Sequence, residues 1–391
     1  MELRVERDTL SEAVGWTARS LPARPPMQVL LGLLLEVDGT TGLSVSGFDY
    51  EVSSRVTVEA TVAENGRVLV PGRLLADIVR SLPAQPVELR LEGTRVVLTC
   101  GAARFTLPTL PVEDYPALPA MPTTAGSLES DVFAAAVQQV AIAAGRDDTL
   151  PVLTGVRIEI EGEQITLAAT DRYRLAVRTL AWRPAEPGRS AIALVPARTL
   201  AETAKALTGG AEVTVALSAA GPSGASEGMI GFAGSQSGQV RRTTSRLLEG
   251  EFPKYRSLLP DSSSAQGVVN TASFTEAVRR VALVASRNAP VRLSFDADGV
   301  VLEAGGADDA QASERLECGW QGDTSEPFSI AFNPGYLLDG LAAVDSDTTT
   351  LSFTGPTRPA VLTGKREPDA TGAVAGIPDY RYLLMPVRLS G

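Results

Sequence analysis

The sequence predicts an α+β fold made of three tandem copies of one domain-sized unit, and three observations carry that expectation. Apolar residues recur with a four-three-four step, the mark of one buried helix face, at three places along the 391 residues. Alternating apolar and polar runs punctuated by glycine-containing turns lie between them, the pattern of half-buried antiparallel strands. The prolines that anchor a second recurring helix, Pro71, Pro196 and Pro334, stand 125 and 138 residues apart. That spacing is far beyond the roughly 20 to 50 residues of a solenoid repeat, so each copy is a domain.

The first helix of each copy is read from Leu10, Val14, Thr17 and Leu21; from Phe133, Val137, Val140 and Ala144; and from Phe274, Val278, Val281 and Ala285. Short polar side chains that can satisfy the free amides of a first turn precede each: Asp8 or Thr9, Ser130, and Thr271 or Ser273. Strands follow. MQVLLGLLLEVDGTTGLSVSGFDYEV parallels LPVLTGVRIEIEGEQITLAATDRYRLAV, and VRLSFDADGVVLEAGGADDAQASERL is a looser third version. The second helix comes next, in VLVPGRLLADIVRSL, ALVPARTLAETAKAL and IAFNPGYLLDGLAAV, with proline at the start, where its missing N–H has no partner to lose. Positions four and seven beyond the proline (Leu75 and Ile78, Leu200 and Thr203, Leu338 and Leu341) are expected on the buried face. Small and polar residues collect near 121–130 and 261–270, which sets domains at 1–122, 123–262 and 263–391. SAAGPSGASEGMIGFAGSQSG and KREPDATGAVAGIPD read as surface loops.

Composition narrows function. There are 35 basic and 46 acidic residues, a net charge of −11, which disfavours a surface that holds nucleic acid by overall positive charge, so any such contact would have to be local. The absence of histidine removes Ser-His-Asp and Cys-His catalysis and histidine metal ligation. Cys100 and Cys318 cannot form a four-cysteine zinc site and read as small buried residues of a reduced, cytoplasmic protein. No export signal or membrane-spanning run is apparent. GPTRPAVLTGK fails the phosphate-loop spacing, and Asp147-Asp148 and Asp308-Asp309 sit in turn-like settings that favour aspartate for local hydrogen bonding.

Cations concentrate on the helices. Arg73 and Arg198 lie two residues after the anchoring proline, and Arg80 and Lys205 nine after it. Arg19, Arg24, Arg146, Arg279, Arg280 and Arg287 flank the first-type helices. Two readings stand: solvated helix faces laced with ion pairs, or a surface facing phosphates. No aromatic residues interleave with these cations as in single-strand readers, so a phosphate-facing surface would contact duplex backbone without reading sequence. The third copy's GYLLDGLAAVDS carries no cation.

TDRYRLAVR (170–178), YLLMPVRL (382–389), GRDDTLPVLTG, SGFDYEV and FNPGYLLDG bring in a resemblance. The chain resembles, over essentially its whole length, the bacterial sliding clamps, the β subunits of DNA polymerase III, of actinobacterial type. That resemblance implies three DNA clamp domains with helices lining an inner face and antiparallel sheets outside. Two chains would assemble as a head-to-tail homodimeric ring around duplex DNA, independent of sequence. It implies a non-catalytic processivity factor without cofactor or metal. Its partners, the replicative polymerase, the clamp loader, translesion polymerases and repair proteins, would dock short peptides in a groove between the second and third domains.

Carried over position by position, the groove would comprise Leu153, Thr170, Arg172, Tyr173, Arg174, Leu175, Pro253 and Leu258. Asn333, Tyr336, Met385, Pro386, Val387, Arg388 and Leu389 would complete it. The apolar members suit a hydrophobic anchor, and Arg and Asn suit the peptide backbone. Arg24 and Arg146 match DNA-facing positions, and Arg73, Arg80, Arg198, Lys205, Arg279 and Arg280 join them as the basic helix residues. Phe105 matches one side of the ring interface and Leu283 the other. Gln28 and Leu31 depart from the family, which has a proline and a small residue there. These departures admit an alternative role, a divergent second clamp copy conferring resistance to a groove-binding natural product.

Overall fold

The computed structural model describes residues 1–218, 228–236, 238–285, 289–306, 310–364 and 379–388. Leu389, Arg287, the Asp308-Asp309 pair and nearly all of the KREPDATGAVAGIPD segment lie outside the described residues. The six expected helices are present: α1 Arg7–Thr17, α2 Gly72–Ser81, α3 Ser130–Ala141, α4 Ala197–Ala206, α5 Thr271–Val281 and α6 Pro334–Ala343. Leu10 and Val14 on α1, Phe133, Val137 and Val140 on α3, and Phe274, Val278 and Val281 on α5 are all buried. Burying each such side chain contributes roughly 1.5–3 kcal/mol, which is why the four-three-four spacing finds these helices so reliably.

Helix starts differ from the sequence reading. The cap of α1 is Glu6, without a side-chain bond, and α3 begins at Ser130 itself. At α5 the cap is Asn270, whose side chain accepts from the Ser273 amide, because asparagine one residue earlier already satisfies that donor. Pro71 and Pro196 are caps of α2 and α4, but at α6 Asn333 takes that place and Pro334 becomes the first helical residue. The third copy is therefore shifted by one, and its buried face carries Leu337 and Leu341, with Leu338 only half-buried. The segment expected as a Gly/Ser-rich loop contains a strand, Met229–Gln236, in which Ile230 and Phe232 point inward between small residues; 219–227 and 237 lie outside the described residues.

The chain divides into two compact units. The first comprises Met1–Ala135, Ile160–Glu163 and Trp182–Leu248. One of its sheets runs Thr61–Glu64, Glu2–Val5, Val87–Glu92, Arg95–Cys100, Ala103–Pro108. The other carries strands of two repeats, joined where Gln239–Arg246 pairs antiparallel with Val52–Val58 and Arg241 faces Val56. Leu10, Val14, Leu33, Val45, Val56, Leu75 and Val79 form its core beneath α1 and α2. Cys100 is a buried free thiol, as expected.

The second unit comprises Ala136–Glu159, Gln164–Ala181 and Glu249 onward. Its large sheet runs in order Gln164–Thr170, Arg174–Ala181, Tyr380–Leu384, Ala360–Gly364, Thr348–Phe353, Ala265–Asn270, Gly319–Gln321. Again two repeats share one sheet, with Leu175 opposite Leu383. A second sheet runs Ala312–Leu316, Gly299–Ala304, Val291–Asp296, Phe328–Phe332. Phe295, Trp320, Phe328 and Phe353 pack as an aromatic cluster, with Phe295 and Trp320 stacked at 5.0 Å. Cys318 beside it is half-buried, and burial pushes its thiol up to about 11. Gly340 of α6 lets Tyr382 approach, since a Cβ there would meet the ring at 2.5 Å. Two of the four sheets among the described residues thus cross a repeat boundary, and compactness follows those shared sheets.

Candidate functional sites

In the second unit, a two-residue hairpin turn between Asp171 and Arg174 shapes a cavity of about 610 Å³. Asp171 Oδ1 accepts from the Tyr173 and Arg174 amides at 3.0 and 3.1 Å, and the Thr170 hydroxyl donates to the Arg174 carbonyl at 2.7 Å and accepts from the Arg172 amide. This lock holds Arg172 at φ 80°, a left-handed conformation rare outside glycine, asparagine and aspartate. It also places Tyr173, 55% exposed, with its ring stacked against Tyr336 at 6.1 Å.

Arg174, only 5% exposed, lies under that aromatic wall. Its Nε donates to Asp171 at 2.9 Å, one terminal nitrogen reaches Asp339 at 2.5 Å, and its guanidinium lies 4.5 Å from the centre of the Tyr336 ring. Burial opposes its charge, but the Tyr382 hydroxyl and both carboxylates outweigh burial and hold it firmly protonated. Tyr336 is fixed at both backbone ends: Asn333 Oδ1 accepts from its amide and its carbonyl accepts from the Tyr382 hydroxyl at 2.8 Å. The C-terminal segment is pinned alongside, with the Met385 amide donating to the Tyr173 carbonyl and the Val387 amide to Ala331.

Of the expected groove set, Leu153, Arg172, Tyr173, Arg174, Asn333 and Tyr336 line this cavity. Thr170 and Leu175 are buried structural members, one locking the turn and one in the core. Leu258 and Met385 are exposed apolar side chains outside the cavity lining; Pro253, Pro386 and Val387 are half-buried and Arg388 is exposed. Leu258 ends the short turn Tyr255–Leu258, which is anchored by buried Glu159. That carboxylate accepts from Arg157, from the Tyr255 hydroxyl at 2.8 Å and from Arg256. Burial pushes Glu159 up, but these donors outweigh it and hold the carboxyl below its usual range, while burial pushes the Tyr255 hydroxyl up to about 12.

Sequence reasoning missed Asp171, Asp339 and Leu150 as lining residues. The aspartates stand within the quoted DRYRL and YLLDG motifs, so their adjacency to the carried-over arginine and tyrosine was the available signal. Arg146, expected to face DNA, lies in the lining of this cavity.

The first unit carries a counterpart of opposite chemistry. Asp49 makes the same turn, accepting from the Glu51 and Val52 amides, with Tyr50 at φ 73°. A cavity of about 660 Å³ there is lined by Asp49, Val52, Arg198, Thr199 and Glu202 where the other has Asp171, Arg174, Gly335, Tyr336 and Asp339. A second concavity of about 560 Å³ shares Trp16, Arg19, Arg73 and Lys205 with it and adds Arg80 and Arg241. Arg80 pairs with Asp77 at 3.5 Å and Arg198 with Glu202 at 3.1 Å, while Arg19, Arg73 and Lys205 have no carboxylate within ion-pair distance among the described residues. Arg24 is exposed but lines neither concavity. In the second unit Arg279 pairs with Glu276, and Arg280 makes two bonds to Glu314 at 3.0 and 2.6 Å, as Arg80 and Arg198 pair with carboxylates in the first.

Two sheet edges remain. Ala103–Pro108 ends its sheet with Phe105 half-buried, and Ala312–Leu316 ends another. Leu283, on the turn Ala282–Val284 after α5, is 83% exposed. Among the described residues no group of three or more His, Cys, Asp or Glu could hold a metal ion, and no helix is long and apolar enough to cross a membrane.

Comparison with known proteins accounts for this arrangement. Models of the N-terminal, central and C-terminal domains of the DNA polymerase III beta subunit match residues 1–119, 127–254 and 256–377. A beta sliding clamp of Streptomyces coelicolor is 60% identical over 391 residues, covering 100% of both chains. The beta sliding clamp homolog GriR of Streptomyces muensis is 45% identical over 388 residues, covering 99% of each. A crystal structure of a sliding clamp from Pseudomonas aeruginosa bound to griselimycin superimposes with a TM-score of 0.87 at 26% identity, covering 100% of both chains. Three clamp domains in tandem, matched in sequence from end to end, place the chain in the DNA polymerase III β subunit family, the β sliding clamps, as a non-catalytic processivity factor of DNA replication.

Proposed function

We propose that two copies of this chain close head to tail into a ring around duplex DNA and tether the replicative polymerase, the clamp loader, translesion polymerases and repair proteins through short linear peptides. The observation that carries this reading is the pair of cavities at equivalent repeat positions, one walled by Tyr173 and Tyr336 and the other by cations. An aromatic slot with a few fixed polar groups suits an apolar peptide anchor. A modest cluster around Arg19, Arg73 and Lys205 suits loose phosphate contact, and tight contact would stop sliding.

Leu153, Arg172, Tyr173, Arg174, Asn333 and Tyr336 would hold the anchor. Thr170 and Leu175 would act as its support, and Pro253, Leu258, Met385, Pro386, Val387, Arg388 and Leu389 would extend the groove. Arg24, Arg73, Arg80, Arg198 and Lys205 would face DNA. The edge strand bearing Phe105 would meet the region of Leu283 and Ala312–Leu316 on a second copy, since an unpaired sheet edge and an exposed leucine are both relieved by association. The domains would run 1–122, 123–262 and 263–391, and the ring would work in the cytoplasm. The main replication clamp is favoured over a resistance copy by the 60% identity to a sliding clamp against 45% to GriR.

The test is primer extension by a cognate polymerase and clamp loader on long single-stranded template. The chain should lengthen products from each binding event, and Tyr336→Ala should abolish that gain. Products unchanged by adding the chain would overturn the reading.

A further inference from the structure

We propose that Arg172 and Arg146 form a carboxylate-reading rim at one end of the peptide cavity, so that this chain prefers partner peptides with a carboxylate next to the apolar anchor. The inference rests on the peptide-binding reading above and adds a specificity to it.

The argument starts from the turn. The same two-residue hairpin occurs in both units, with an aspartate accepting two amides and a left-handed residue at its tip, Tyr50 in one and Arg172 in the other. The hairpin demands that conformation, and glycine would adopt it without strain. A long cation stands there instead. The Thr170 hydroxyl fixes the Arg172 amide at 3.2 Å, so the backbone is held and the exposed guanidinium reaches outward.

Charge within the cavity lining is divided. Arg174 is saturated by Asp171 and Asp339, one cation between two carboxylates. Arg146 and Arg172, also in the lining, are both exposed, with no carboxylate within ion-pair distance among the described residues. The lining acid within reach of Arg172 is Asp147, whose Oδ1 accepts from the Thr149 amide and hydroxyl at 3.0 and 2.7 Å; those bonds, with the Arg172 charge added, hold its carboxyl below the usual range. Arg146 and Arg172 against Asp147 leave one positive charge in excess, while Asp171 and Asp339 against Arg174 leave one negative charge. A guanidinium fork matches a carboxylate in a bidentate way that a neutral group cannot reproduce. In a chain of net charge −11, an acidic ligand finds attraction only at such local excesses. A carboxylate could come from an Asp or Glu side chain or from a peptide's own C-terminus.

Fluorescence anisotropy on the full-length chain tests this with four labelled probes. The first is Gln-Leu-Ser-Leu-Phe blocked at both ends; the others add Glu before the motif, add Glu after it, or leave the C-terminal carboxylate free. The carboxylate probe that meets the rim should bind about tenfold more tightly than the neutral one at low salt, the scale of one charge-assisted hydrogen bond. The advantage should fade at about 0.5 M salt, and the probe that gains identifies the carboxylate source. In Arg172→Gln with Arg146→Gln, and in Arg172→Gly, which relieves the left-handed position and so folds without penalty, the ratio of acidic to neutral affinity should fall to about one or, in the single variant, to an intermediate value. An unchanged ratio in the double variant overturns the rim, whatever happens to absolute affinity. Failure of the unaltered chain to bind any of the four probes overturns the peptide-binding reading instead and takes the rim with it.

Discussion

Replacing Arg174 by methionine removes the charge at the centre of the groove wall and leaves its two partners behind. Asp171 is 13% exposed and would be stranded in a largely dry setting, whereas Asp339, 49% exposed, can turn to water. Breaking a buried ion pair from one side costs roughly 3–5 kcal/mol, and an exposed partner contributes at most about 1 kcal/mol, so the expected loss is about 3 kcal/mol, carried mostly by Asp171. With a urea slope of about 2 kcal/mol per molar, the unfolding midpoint of the second unit should fall by about 1.5 M. Trp320 lies in that unit, stacked on Phe295, so its fluorescence in a Trp16→Phe, Trp182→Phe background reports the transition. Asp171→Asn keeps the acceptor that caps the turn while discharging the group, and adding it should restore about half of the loss. A methionine variant within about 1 kcal/mol of the parent, or one that Asp171→Asn leaves unimproved, would refute the assignment of buried charge as the cause.

Three further outcomes follow from the same structure. The Glu159 carboxyl is held below its usual value by Arg157, Tyr255 and Arg256 despite burial, so its contribution is fully present above about pH 4.5 and is lost as pH falls through the depressed folded value; urea titrations at pH 7, 5 and 4 should show a shallower acid loss in Glu159→Gln, and parallel slopes would contradict this. Leu283→Asp or Phe105→Glu should halve the mass measured by light scattering at micromolar concentration, while circular dichroism stays unchanged. Arg73→Glu with Lys205→Glu should weaken DNA association and flatten its dependence on salt by about one unit for each phosphate no longer neutralised; an unchanged salt slope would remove these two residues from the DNA-facing set.

The helices were legible because each buries one face, and Leu10, Phe133 and Phe274 mark that face locally in the sequence. Their caps were less so: Asn270 and Asn333 each stand one residue before the position expected, and a proline that caps α4 but enters α6 shifts a repeat by one without any change in hydrophobic pattern. The strand Met229–Gln236 was hidden because Gly231, Ala233, Gly234 and Ser235 surround its large apolar residues and read as loop. The sharing of sheets across repeats was illegible for a different reason, since pairing of Gln239–Arg246 with Val52–Val58 leaves no local trace in either segment. At the groove the motif gave Arg174 and Tyr336, but not that Asp339 would close on Arg174 from another repeat, a pairing that only the folded sheet creates. The cationic concavity was half visible. The periodic positions of Arg73, Arg198 and Lys205 were plain, but nothing in that spacing told Arg73 and Lys205, which meet no carboxylate among the described residues, from Arg198, Arg279 and Arg280, which do.

The central claim is that DNA is held by topology, and retention on a nicked circle addresses it most directly. Labelled protein loaded with clamp loader and ATP should stay on the circle through high-salt gel filtration and run off once the circle is cut by a restriction enzyme. Retention that salt abolishes and linearisation leaves untouched would mean that the cations around Arg73 and Lys205 do the holding, and the ring would be wrong.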